Sequence, residues 1–159
     1  MKNRLESISA ELAKNIIISN SSQRRRAVVL VCGHALRSAS LFGPAYDEYM
    51  QELLRGNNFS PEKLSELSNL AEELDEKYFL AQEISEGKSE IDKNYIIFFS
   101  QARAVSSLVF AGKEDSASTS CESIYEALMA VENPDPLIES ILLSFEGEGE
   151  GEGEGEGER

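Results

Sequence analysis

Residues 94–111, NYIIFFSQARAVSSLVFA, constrain the fold more than any other stretch, because at helical spacing their apolar side chains cover almost the whole circumference. Tyr95, Phe98, Ala102, Val105 and Val109 fall on one face, and Ile97, Ala104, Leu108 and Ala111 on another. Only Ser100, Arg103 and Ser107 form a polar stripe. A helix apolar nearly all round is either a membrane span or a central core helix. With an arginine, a glutamine and serines in a stretch shorter than the roughly 20 mostly apolar residues of a span, it reads as a core helix that others must wrap.

The rest of the chain supplies the wrapping. Leu5, Ile8, Leu12 and Ile16 mark a one-sided first helix over residues 4–18. The polar run Ser19 to Ser22 caps a second helix, QRRRAVVLVCGHALRSASLF, which is also apolar over most of its surface. Gly43-Pro44 breaks it and opens a third helix, with Tyr46, Tyr49, Met50, Leu53 and Leu54 on its face and Gly56 as its C-terminal cap. Ser60-Pro61-Glu62 starts the longest helix, whose seam is Leu64, Leu67, Ala71, Leu74, Tyr78 and Ala81 and whose stop is Gly87. Ser89 or Asp92 caps the central helix, and Gly112 closes it.

Asp115 or Ser116 begins a sixth helix with a buried face of Ala117, Cys121, Ile124, Leu128 and Val131, leaving Glu122 and Glu126 toward water. Asn133-Pro134-Asp135-Pro136 stops it and starts a short last helix carrying Ile138, Ile141, Leu142 and Phe145. No alternating run bounded by hairpin turns suggests a strand. The expectation is an all-α, compact multi-helix bundle of about seven helices, one domain over residues 1–145. The Glu-Gly alternation at 146–159 has nothing apolar to pack and is expected to be a disordered tail, either a solubilising extension or a simple repeat without a role.

Charge narrows the partners. Of the net −14, the tail holds seven Glu and one Arg, which leaves −8 on the body. Residues 1–56 carry eight Lys or Arg against five Asp or Glu, so the acidity lies almost wholly in residues 57–145. That distribution argues against nucleic-acid binding, which needs a basic face, and permits a basic protein partner. The start of the chain has no continuous apolar run, and its two cysteines sit in apolar helical patterns, so neither a secretory leader, a membrane segment nor a disulfide framework is expected, and the cytoplasm is the expected compartment.

Candidate chemistry is sparse. Cys32, His34 and Cys121 are fewer than the usual four zinc ligands, and Cys32 and His34 point about 200° apart on a helix, since each residue turns it by ~100°. Gly87-Lys88-Ser89 resembles the end of a phosphate loop, but Gln82 stands where that motif needs glycine. No catalytic residue, cofactor or metal is expected. Arg24, Arg25 and Arg26 crowd a helix N-terminus, where they serve either as a first turn, solvated or paired with Glu72, Glu73, Asp75 and Glu76, or as an anion- or partner-binding corner continued by Arg37.

The helix pair QARAVSSLVFAG and CESIYEALMAV, joined by an acidic linker and preceded by RRRAVVLVCGHALRSASLF, resembles small bacterial all-α proteins of the uncharacterised and polymorphic-toxin immunity kind. The resemblance implies a non-catalytic protein that neutralises or regulates another protein. The expected contact surface is acidic: Glu72, Glu73, Asp75, Glu76, Glu122 and Glu126. The alternative is a ligand-binding or enzymatic bundle with a pocket around Arg103 and Arg37.

Overall fold

The order of local stop and start signals decides where each helix ends. The computed structural model describes residues 3–85 and 94–158, with side chains over 3–84 and 95–146. Among the described residues there are seven α-helices, one short 3₁₀ turn and no strand.

The N-terminal stretch is broken where one continuous helix was expected. A 3₁₀ turn, Arg4–Ser7, is capped by Asn3, and α1, Ala10–Ile18, starts afresh at Ser9, whose Oγ accepts from the Leu12 N–H at 3.1 Å. Serine binds the free amides of a helix start better than it tolerates a helix interior. Leu5, Leu12 and Ile16 are nevertheless all buried, so the apolar spacing held while the backbone did not.

α2, Ser21–Ser38, opens with a reciprocal capping box in which the Gln23 N–H donates to Asn20 and the Asn20 N–H to Gln23. It ends four residues before the expected Phe42, because Ser40 takes a left-handed conformation, φ 60°, that turns the chain and lets the Leu41 N–H close on the Leu36 carbonyl. α3, Pro44–Leu54, has Pro44 in its first turn and Gly56 at φ 80° just beyond its end. α4, Pro61–Ser85, is started by Ser60, whose Oγ takes the Lys63 N–H. α5 is Asn94–Gly112, and α6, Ala117–Met129, is capped by Ser116. Gly87, Ser89 and Asp92, expected to end α4 and cap α5, lie outside the described residues.

α7 is assigned over Asp135–Glu158. Leu137 and Ile141 are buried and Ile138, Leu142 and Phe145 pack against the core; Phe145 is the last apolar residue of the chain, so the Glu-Gly run adds nothing to that core.

α5 lies in the middle, against α4, α6 and α2, with α3 touching it more lightly. α2 also packs on α6; α1 and the 3₁₀ turn cover α6, and α7 lies over α1 and α2. Ala102, Ala104, Val105, Leu108 and Ala111 of α5 are buried, which makes its C-terminal half the centre of the core. Its first two turns are covered on the α4 side but leave Ile96 and Ile97 exposed. By length and composition Tyr95–Gly112 reaches what a membrane crossing needs, with mean hydropathy 1.3. Of that stretch 44% is buried, from Ala102 onward, where α2, α4 and α6 surround it.

The polar stripe of α5 is the α5–α6 seam. Ser100 donates to the Ala130 carbonyl, Arg103 to Glu126, and Ser107 to the Ser123 carbonyl at 2.8 Å, while the Ser123 hydroxyl returns a bond to the Ser107 carbonyl at 2.9 Å. Such small side chains let two backbones approach closely, and each hydroxyl is satisfied by the opposite helix. Cys32 of α2 completes the contact, its sulfur 3.1 Å from the Ser107 Oγ.

Candidate functional site

The six acidic residues expected to form one contact surface separate into two groups. Asp75, Glu122 and Glu126 are engaged inside the protein. Arg103 reaches out of α5 and binds the Asp75 carboxylate of α4 at 3.0 and 3.1 Å and the Glu126 carboxylate of α6 at 2.7 Å. Glu126, only 3% exposed, also accepts from Arg4 at 3.0 Å, and Arg4 bonds Glu122 and lies over the Tyr125 ring. Glu126 therefore faces the core, where its place off the apolar stripe had pointed it to water. The reason is that α5, α2 and the N-terminal turn all surround α6, so its buried arc is wider than a one-sided helix would have.

Glu72, Glu73 and Glu76 remain exposed on α4. At 100° per residue, Glu62, Glu66, Glu73 and Glu76 share the outward stripe of that helix, opposite the face that Tyr78 turns to Tyr95 and Phe99 of α5. Leu80 and Ile84, also exposed, continue the same stripe toward the end of the helix. The result is one helical edge that runs from acidic to apolar.

Arg24 and Arg25 of the triplet have internal partners near the start of α2, and they are not the α4 acids. Arg24 binds Asp115 at 2.8 Å and the Ser19 carbonyl at 2.7 Å, and Arg25 donates to the Ala111 carbonyl near the end of α5. A cation suits that end of a helix. Together they fasten the start of α2 to the α5–α6 connection. A shallow depression of about 820 Å³ opens beside them, with Ser21, Arg26 and Arg55 facing Glu114 and Asp115, so both signs of charge line it.

The hydrogen bond from Arg24 holds the Asp115 carboxyl below its ordinary value of 3.8, against the opposing effect of burial, with Ser21 assisting. A depressed folded-state pKa means that stability is gained above the unfolded value and lost as pH falls through the folded one. Asp115→Asn should therefore unfold more easily than wild type at pH 6, by about 1 kcal/mol. The gap should close as the pH is lowered through and below 3.8. Urea titrations across that range measure it.

Arg37 and Arg103 do not converge on a pocket. Arg37 is exposed and lies along its own helix near Gly33, while Arg103 is tied to α4 and α6. Cys32 is fully buried, and burial raises its pKa; burial, then Glu122 and Glu6, push the Cys121 thiol up to about 11. Both thiols are thus neutral at pH 7. Among the described residues no group of three His, Cys, Asp or Glu stands ready to hold a metal ion.

The Arg103–Asp75–Glu126–Arg4 network was not legible in the sequence, since its members are 23 to 122 residues apart. A buried-arc signal existed only in the unusual density of small residues on α6, Ala117 to Ala130. The chain matches no family model, no curated protein and no solved structure.

Proposed function

We propose that this is a non-catalytic protein-binding domain of the immunity or regulatory type, acting by contact through the outward stripe of α4. The observation that carries the reading is the run of Glu62, Glu66, Glu73 and Glu76 leading into exposed Leu80 and Ile84, flanked by Glu72. Carboxylates at a rim steer an approaching partner and set its orientation, while adjoining apolar side chains supply the desolvated centre of a contact. The complementary partner is a protein with an apolar spot beside a cluster of Lys or Arg. The resemblance of the helix pair to immunity-type proteins and the acidity of residues 57–145 support this reading over one involving nucleic acid, and two free, buried cysteines suit a reducing compartment.

The test is capture from extracts of the native cells by wild type and by the Glu72→Lys, Glu73→Lys, Glu76→Lys triple variant, at low and high salt. The partner should be held at low salt and released as ionic strength rises, because exposed charges are screened beyond ~10 Å at 0.1 M. The triple variant should lose it. Capture indifferent to both salt and charge reversal overturns the acidic contact, and a toxin-like neighbouring gene would support the immunity assignment.

A further inference from the structure

The central helix outruns two of its neighbours. Ser100, Arg103 and Ser107 form the stripe of α5 that faces α6, and Ile96 is the next residue along that stripe. α6 ends beside Ser100, at Ala130, so Ile96 projects past it and is 52% exposed. Gln101 lies where α5 meets α2, donating to the Ala39 carbonyl just beyond the end of that helix. Ile97, one turn earlier on the Gln101 stripe, is 50% exposed. Among the described residues only the third side of this part of α5 is covered, by Tyr78 of α4, whose ring lies tilted at 5.3 Å from Phe99 and 6.0 Å from Tyr95. On α4 itself Phe79, 57% exposed, stands beside Tyr78.

We propose that a second copy of this chain covers the open end of the α4–α5 hairpin, making a symmetric dimer in which two hairpins form a four-helix layer. Among the described residues two adjacent sides of the first turns of α5 lack a helix, and a pair of helices would cover them. A second α4–α5 hairpin is such a pair, and helical hairpins packed on each other are a stable arrangement. Charge favours a copy over a basic stranger. The chain is at −14, so most faces of two copies repel. Residues 94–101 carry no charge and Glu83 is the only charged residue from Tyr78 to Ser85, while the sequence between them, 86–93, sets Glu86, Glu90 and Asp92 against Lys88 and Lys93, a nearly balanced group that two copies can bring together with little net repulsion.

The area is consistent with a modest dimer. Large side chains bury ~150–250 Å² each, so Phe79, Ile96 and Ile97 at half exposure offer on the order of 300 Å². A small stable interface covers roughly 600 Å² per partner and is a little over half apolar; the partly exposed Tyr95 and Phe98 add the remainder of that apolar share. This surface lies off the outward stripe of α4, so the proposal stands or falls independently of the function proposed above.

Sedimentation velocity on the full chain, from about 1 to 200 µM, tests it. Wild type should shift with concentration from 17.6 kDa to twice that mass. The Ile96→Ser, Ile97→Ser variant removes apolar atoms that are half in water already, so its thermal melt at low concentration should match wild type, while its dimer dissociation constant rises about 100-fold. A Glu83→Gln variant should dimerise at least as well as wild type. A chain that stays monomeric throughout, or a dimer that survives the double substitution, overturns the proposal.

Discussion

Gly112→Ala is expected to destabilise the protein by about 3 kcal/mol, against the gain of up to ~1 kcal/mol that helix propensity alone assigns to this exchange. The Phe59 ring lies across the end of α5, where a Cβ on residue 112 would stand 2.0 Å from Cδ2 and 2.5 Å from Cγ. The ring cannot simply slide aside. The Phe59 N–H donates to the Gly112 carbonyl at 2.8 Å, which fixes its backbone against the same helix end, and the side chain is 5% exposed with Tyr49 packed at 5.2 Å. Urea unfolding gives the sign directly. In a double-mutant cycle, Gly112→Ala should cost little when Phe59 is already Ala, since the Cγ and ring atoms that clash are then gone. A stabilised Gly112→Ala variant would refute the close approach.

The second large effect is at Glu126. Its carboxylate is enclosed between Arg103 and Arg4 with almost no access to solvent. Glu126→Gln leaves the guanidinium of Arg103 with Asp75 as its one charged partner among the described residues, where its Nε already has no hydrogen-bond partner. Breaking a buried pair from one side costs about 3–5 kcal/mol, whereas replacing both partners by apolar residues is often close to neutral. Glu126→Gln should therefore be strongly destabilised and Arg103→Met with Glu126→Leu should recover most of the loss. Equal loss in the single and double variants would show that the two charges act separately.

These two positions also show what a sequence can and cannot display. The helices from α2 to α6 were legible because punctuation is local: Pro44, Gly56, Ser60-Pro61 and Asn133-Pro134 each act on the backbone next to them, and the structure starts and stops helices there. The break at Ser9 was hidden because Leu5, Ile8, Leu12 and Ile16 reach the core equally well from one helix or from two. The inward turn of Glu126 was hidden for a different reason. A single helix displays its own apolar stripe but not how many neighbours surround it, and Arg103 and Arg4 come from elements 23 and 122 residues away. The same limit applies to α5, whose all-round apolarity marked a central helix without showing that α2 and α6 stop short of its first two turns.

The meeting of Cys32, Ser107 and Ser123 also bears on the order of assembly. Ser107 and Ser123 are 16 residues apart, while Cys32 joins Ser107 across 75. Closing the longer loop costs about 1.4 kcal/mol more chain entropy than closing the shorter one. On loop entropy alone the α5–α6 pair is expected to form before α2 joins it, held by the reciprocal serine bonds, so that the thiol of Cys32 enters a site already formed.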